Sequence, residues 1–155
     1  MNDEFFPYRV HMEMLFNIFL WGFIIGVIHF IILGALYANP FIDRLYKKAQ
    51  SEFPGVRKWD NQKEYLLKMF AGTQVEVYII SAGFFYLRQF LPFQPMELAL
   101  ITGIIFSGIR IYPRFWNMWI QSTYPATLLA IEFINGIIGT FIITIGLSYI
   151  TSRGM

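Results

Sequence analysis

Four ionisable side chains lie inside long apolar stretches of this chain: His29, Glu76, Arg110 and Glu132. A charge at the centre of a bilayer costs about 2.5–3.5 kcal/mol or more on insertion scales, so such residues are rare inside membrane-spanning helices. Carboxylates and an imidazole exchange protons or cations, and a guanidinium pairs with carboxylates. Asn135 lies close to Glu132 in the sequence and adds a hydrogen-bonding amide. These five residues form a candidate ligand- or ion-binding site.

The depths of the four ionisable residues predict that they meet. The apolar stretches cover residues 15–37, 69–90, 96–112 and 126–150, and a helix needs roughly 20 apolar residues to cross a bilayer. In an up-and-down arrangement, His29, Glu76 and Glu132 lie roughly 9–12 Å inside the same membrane boundary. Arg110 enters from that boundary as well, slightly closer to the surface. We expect all four to face the bundle interior, with Arg110 paired directly with Glu76 or Glu132.

Three interpretations of this cluster are open, and Thr73 and Gln74 add further hydrogen-bonding groups at the same depth. A structural ion-pair network would fix the helix register, but two acids against one arginine exceed what such a network needs. Proton or cation handling uses exchanging carboxylates near His29, because an unperturbed imidazole changes charge near neutral pH. Small-ligand binding is the third interpretation. Its enzymatic form is proton transfer by two carboxylates and a histidine to a lipid-soluble substrate.

The composition argues against several other kinds of site. Cysteine is absent, which removes disulfides, thiolate metal ligands and cysteine nucleophiles. The two histidines, His11 and His29, stand about 27 Å apart along one helix, so they cannot share a metal ion or a haem. The serines lack the context of a nucleophile elbow. The chain has no glycine-rich phosphate loop and no basic nucleic-acid face. We expect no metal, no cofactor, no catalytic residue and no nucleic-acid partner.

The whole composition predicts one all-α membrane domain over residues 1–155. Hydrophobic residues make up 56% of the chain and charged residues 14%, whereas soluble domains have about 25% charged residues. The expected fold is a bundle of four transmembrane helices, and the first span should remain in the mature protein. The third span, between Pro95 and Pro113, is the shortest. Whether it ends at Pro113 or continues through it is open.

The loop between the first two spans predicts an amphipathic interfacial helix. Apolar residues recur there at helical spacing from Phe41 to Phe53, and Pro54-Gly55 should end the helix. Asp60 is then expected to cap a helix that continues through Glu64 into the second span.

Basic residues are distributed unequally between the two ends of the spans. One end collects nine, namely Arg44, Lys47, Lys48, Arg57, Lys58, Lys63, Lys68, Arg110 and Arg114. The other end has three, Arg9, Arg88 and Arg153. The positive-inside rule then predicts that both termini lie outside and the long loop inside. We expect the membrane to be the prokaryotic cytoplasmic membrane or its equivalent.

Small residues line one face of the first and last spans. Gly22 and Gly26 do so in the first span, and Gly136, Gly139 and Gly146 in the last. Such faces let helices approach closely, either inside one chain or between copies. The function we expect first is a membrane component without evident catalysis, homo-oligomeric or an accessory subunit, whose partners are lipids, itself or other membrane subunits. A small ion, proton or solute transporter is the alternative, and a membrane enzyme acting on a lipid-soluble substrate is the second.

Two sequence stretches are similar to those of a known family. The segment from Gly34 to Phe41, with Pro40, is similar to a Gly-x-x-Trp/Tyr-Tyr-x-Pro turn, although the aromatic pair is missing. The segment from Pro125 to Gly136 is similar to a last span that begins after proline and carries a Leu-x-x-Ile-Asn-Ala/Gly stretch. Through these stretches the chain resembles a bacterial family of four-span membrane proteins known as a domain of unknown function. The resemblance implies the four-span fold and no activity.

Overall fold

The computed structural model describes residues 5–153, with side chains from residue 12 onward. Arg9, His11 and Met155 therefore have no described side chains. The described chain is helical, with short connectors: α1 (Phe5–Tyr37), α2 (Pro40–Glu52), α3 (Gln62–Arg88), α4 (Pro95–Gln121) and α5 (Ala126–Ser152). The all-α prediction and the amphipathic helix in the first loop, which is α2, are both confirmed.

Three of the described helices are long and apolar enough to cross a membrane: Met12–Tyr37 within α1, and all of α4 and α5. This makes the chain an integral membrane protein by length and composition. The helix α3 is as long as α4 and α5 but is not among the three, because Gln74 and Glu76 lower the hydropathy of its central part. The sequence indicated that the third span is the least able to cross a membrane, because it is the shortest. In the structure the long helix that falls short is α3, because of its lower hydropathy.

The third span is longer than expected because α4 continues through Pro113 to Gln121. Proline inside a helix removes the hydrogen bond that its N–H would donate to the carbonyl four residues earlier, here that of Ile109. The residues on both sides of Pro113 keep helical geometry, so Arg114 and the aromatic segment after it belong to the same helix as Arg110. Of the two possibilities that the sequence left open at Pro113, the structure shows continuation.

Local signals start the two helices on either side of the first loop. The side chain of Asn39 accepts a hydrogen bond from the Phe41 N–H, and Pro40 follows in the first turn of α2. The cap of α3 is Asn61, whose side-chain oxygen accepts from the N–H groups of Lys63 and Glu64. The prediction of Asp60 was therefore wrong by one residue. Both residue types cap well, and only the backbone direction at the loop end selects between them.

Close helix contacts at glycines hold the bundle together. In α5, a Cβ atom placed on Gly139 would lie 2.6 Å from His29 Nε2 of α1, and one on Gly146 would lie 3.3 Å from Ile25. In α1, Gly22 faces Tyr78 and Gly26 faces Gln74 of α3. The glycine stripes predicted for packing or self-association are thus used inside the chain, and α1 runs antiparallel to both α3 and α5.

The helix α5 is the centre of the bundle, because it packs against α1, α3 and α4. Its closest partner is α4, where Gly103 lies against Phe141 and Gly136 against Ile111. In contrast, α3 and α4 touch at few points, one of them being Gly83 against Phe106. The short connector between α3 and α4 therefore makes them antiparallel without making them close packing partners, and α5 joins them.

Two sides of the bundle are distinguished by what they carry. The α2 side holds α2, the ends of α1 and α4 and the starts of α3 and α5, and the terminal side is the opposite one. On the α2 side, Ala49 of α2 is buried with Val56 and Leu128. The opposite face of α2 exposes Lys47 and Lys48. The apolar face of α2 thus packs onto the bundle.

Candidate functional site

A partly buried ion pair between α3 and α4 lies about midway along both helices. Arg110 Nε donates to Glu76 Oε1, and Arg110 Nη1 donates to Thr140 Oγ1 of α5 at 2.7 Å. The Arg110 side chain is 21% exposed and that of Glu76 36% exposed. The prediction that Arg110 pairs with one of the two glutamates is confirmed. Together with Thr140 the pair joins three helices, two of which, α3 and α4, touch at few points.

His29 lies against Gly139 of α5, the residue before Thr140, and is almost completely buried. The residue is 2% exposed, and neither ring nitrogen has a hydrogen-bond partner among the described residues. Its ring rests against the backbone of Gly139, which is close enough to α1 only because it lacks a side chain. The charges of Arg110 and Glu76 lie within electrostatic reach of the imidazole. His29, Glu76, Arg110 and Thr140 therefore form one polar cluster, which we call the core cluster.

Glu132 does not belong to the core cluster, contrary to the prediction that four residues share one depth. Its Oε2 accepts a hydrogen bond from Arg114 Nη2 at 3.3 Å, and its Oε1 accepts one from the Tyr46 hydroxyl at 3.2 Å. Glu132 and Thr140 stand about 12 Å apart along α5, so Arg110 cannot reach both. The continuation of α4 past Pro113 supplies Arg114 as the nearer cation.

Two tyrosines hold the Glu132 carboxylate on the α2 side. The hydroxyl of Tyr124, from the connector before α5, donates to the same Oε1 atom as Tyr46. Burial raises the pKa of both phenols, and the neighbouring carboxylate raises the pKa further. Both therefore remain protonated donors at any physiological pH. We call Glu132, Tyr46, Tyr124 and Arg114 the entrance cluster.

Asn135 lies between the two clusters. It is 5% exposed, its Nδ2 atom has no partner among the described residues, and the Tyr37 hydroxyl at the end of α1 lies against its side chain. Gln74, which the sequence placed near the site, instead donates to the Gly22 carbonyl at 3.0 Å and ties α3 to α1.

Sequence reasoning missed Thr140, Tyr46, Tyr124 and Tyr37. A threonine inside an apolar helix is a weak signal, since its hydroxyl usually bonds the carbonyl one turn earlier, as Thr140 does to Gly136 at 2.9 Å. The contact of Tyr46 with Glu132 joins residues 86 positions apart, and no local pattern predicts it. Among the described side chains, no group of three or more His, Cys, Asp or Glu residues could hold a metal ion.

Comparisons with protein families, with curated proteins and with solved structures find no match for this chain. The resemblance to a four-span family of unknown function therefore stays a prediction. The function of the site has to be argued from its own chemistry.

Proposed function

We propose that this chain is a four-span membrane protein that handles protons or small cations at the core cluster. The observation that carries the proposal is His29, a buried imidazole with two unpartnered nitrogens beside a charged pair. A buried polar group without a hydrogen bond costs about 1–3 kcal/mol. An apolar side chain would fill the same space without that cost. A group that exchanges protons accounts for the histidine, whereas helix packing alone does not.

The ion pair by itself does not explain the cluster either. A pair that only fixed helix register would need Arg110, Glu76 and a third helix contact, which Thr140 provides. His29 makes no hydrogen bond to any of them, so it does not strengthen an ion-pair network that fixes helix register. Protonation of the imidazole would place a second positive charge beside Arg110 and compete for Glu76. Proton binding at His29 and the strength of the ion pair are therefore coupled.

The position of α3 in the bundle supports its assignment as the fourth span. It packs along α1 from the contact of Phe70 with Phe30 to that of Tyr78 with Phe19, and Arg88 at its end donates to the Thr151 carbonyl of α5. The polar Gln74 is buried, whereas Val75 and Ile79 are exposed. The low hydropathy of α3 thus comes partly from residues that point inward, away from lipid.

The charge distribution supports the orientation. The α2 side carries the seven basic residues of the first loop together with Arg114, which the positive-inside rule assigns to the cytoplasm. Both described ends of the chain are then outside, and the entrance cluster faces the cytoplasm.

Proton flux into sealed vesicles tests the proposal. The purified chain is reconstituted with a pH-sensitive dye inside, and a pH step is applied outside. We expect flux above that of empty vesicles, its loss in His29→Phe and Glu76→Gln, and its retention in His11→Ala, the matched control at the only other histidine. Flux that persists unchanged in folded His29→Phe, or wild-type flux equal to that of empty vesicles, would remove the proposal.

A role as a subunit of a larger membrane assembly is the second candidate. One observation favours it: Gly34, Gly72 and Gly108 have open space where a side chain would be, although the other glycines of the described helices are covered. Uncovered glycines on membrane helices permit close approach of another helix. Native mass spectrometry in mild detergent distinguishes the cases. A dimer or larger species that dissociates in Gly108→Leu supports the assembly, and a clean monomer removes it.

A further inference from the structure

We infer that a polar access route leads from the α2 side to His29 along the α1–α5 interface, and that α2 closes its entrance. The inference rests on the proposed function, since it names the path by which the core cluster exchanges ions with one side of the membrane. It is carried by the residues that line this interface and by the difference between its two halves.

Facing residues of α1 and α5 define the path. On α1, Tyr37, Leu33 and His29 recur at intervals of four residues and share one face. On α5, Asn135 and Gly139 are one turn apart, and Gly139 lies against both Leu33 and His29. Because Tyr37 lies against Asn135, polar groups reach to within one helical turn of the buried imidazole.

Asn135 is the first polar residue of the route beyond the entrance cluster. Its Nδ2 donor is buried without a partner among the described residues, and buried amide donors in proteins are nearly always hydrogen-bonded. A proton-carrying water finds there a donor for its oxygen, and beside it the hydroxyl of Tyr37. An alanine or leucine would complete the helix packing at this position without leaving a polar atom unpaired.

The far half of the same interface is apolar. Beyond His29 towards the terminal side, Ile25 is 2% exposed and packs on Gly146. Ile143 and Leu147 are completely buried there. Along this interface the described polar groups therefore approach His29 from the α2 side, and apolar side chains pack beyond it towards the terminal side.

The entrance cluster ties α2 to the end of the α1–α5 interface on the α2 side. Tyr46 of α2 and Tyr124 donate to one oxygen of Glu132, and Arg114 donates to the other. The ring of Tyr46 also lies 6.0 Å from that of Tyr37, centroid to centroid. The Tyr46 hydroxyl is the polar tie that the described structure shows between α2 and α5, so its removal should loosen α2 without touching the core cluster.

Cysteine accessibility tests the route, because the chain contains no cysteine of its own. Asn135→Cys is reconstituted and treated with a small charged thiol reagent on one side of the vesicle at a time. Lys48→Cys reports access from the α2 side and Ser152→Cys access from the terminal side. We expect Asn135→Cys to react from the α2 side, about tenfold faster when Tyr46→Phe removes the hydrogen bond to the carboxylate. Ile143→Cys, buried on the same helix beyond His29, is the matched control and should not react.

Protection of Asn135→Cys in both backgrounds, or its reaction from the terminal side, would overturn the route. If Asn135→Cys does not fold, Leu33→Cys reports the same path one turn nearer to His29, with the same expectations. The proposed function fails separately. Proton flux that depends on His29 while Asn135→Cys is protected disproves the route alone, whereas labelling from the α2 side without any flux supports the route and disproves the function.

Discussion

Gly139 sets the distance between α1 and α5 at the core cluster. A single methyl group added at this position should therefore disturb the packing of the two helices. In Gly139→Ala the new Cβ lies 2.6 Å from His29 Nε2 and 3.1 Å from Leu33 Cδ1. Both distances are well below the separation of about 3.5–4.0 Å at which non-bonded carbon atoms attract best. The imidazole is 2% exposed and has little space to move into. Either the ring must leave its rotamer or the two helices must separate.

The magnitude follows from two opposing effects. Overpacking a well-packed core costs about 1–3 kcal/mol. Replacing glycine by alanine inside a helix gains about 1 kcal/mol of helix propensity. Gly34→Ala on α1 receives the same propensity gain, but its Cβ meets no atom within 4 Å. The difference between the two variants therefore isolates the overpacking, and we expect Gly139→Ala to be less stable than Gly34→Ala by about 1–3 kcal/mol.

Reversible unfolding in mixed detergent micelles measures both free energies. A ¹⁵N spectrum of histidine-labelled protein gives a second readout, because displacement of the ring should shift the His29 signals and leave those of His11 unchanged. Equal stability of Gly139→Ala and Gly34→Ala, with unshifted His29 signals, would refute the close approach of the two helices and with it the geometry of the core cluster.

Three further predictions concern the charges. Glu76→Gln should lower the free energy of unfolding in detergent by about 1–3 kcal/mol because Arg110 loses its carboxylate, whereas Glu52→Gln, which loses a surface pair, should change it by less than about 1 kcal/mol. The pKa of Tyr46 is raised in the folded state. Its neutral phenol therefore contributes its full share of the folding free energy below the unfolded pKa of about 10. That contribution should be lost as the pH rises from there towards the folded pKa. Alkaline unfolding of Tyr46→Phe should accordingly show a weaker pH dependence than the wild type, and an identical profile would contradict this. In intact cells, an impermeant thiol reagent should label Ser152→Cys and spare Lys48→Cys, and the reverse pattern would invert the proposed orientation.

Part of the candidate site could be predicted because depth along a helix is a local property. Depths calculated from a rise of about 1.5 Å per residue correctly predicted that Glu76 and Arg110 meet, given helices that alternate in direction. The same reasoning failed for Glu132, because it left open whether α4 continues past Pro113 and so did not place Arg114 beside this carboxylate. With α4 extended to Gln121, Arg114 becomes the nearer cation and Glu132 moves into a separate cluster.

The sequence by itself determined the membrane class, the positions of the helices and the basic α2 side. Each depends on the composition or spacing of neighbouring residues, whereas the choice of Asn61 over Asp60 as the cap of α3 needed the structure. Only the tertiary structure decided which faces meet. The helices α1 and α5 are apolar all round, so no polar stripe fixes their rotation, and a turn of about 100° per residue points each side chain to a different neighbour. The burial of His29 against Gly139 and the contact of Tyr46 with Glu132 follow from that rotation and from the central position of α5.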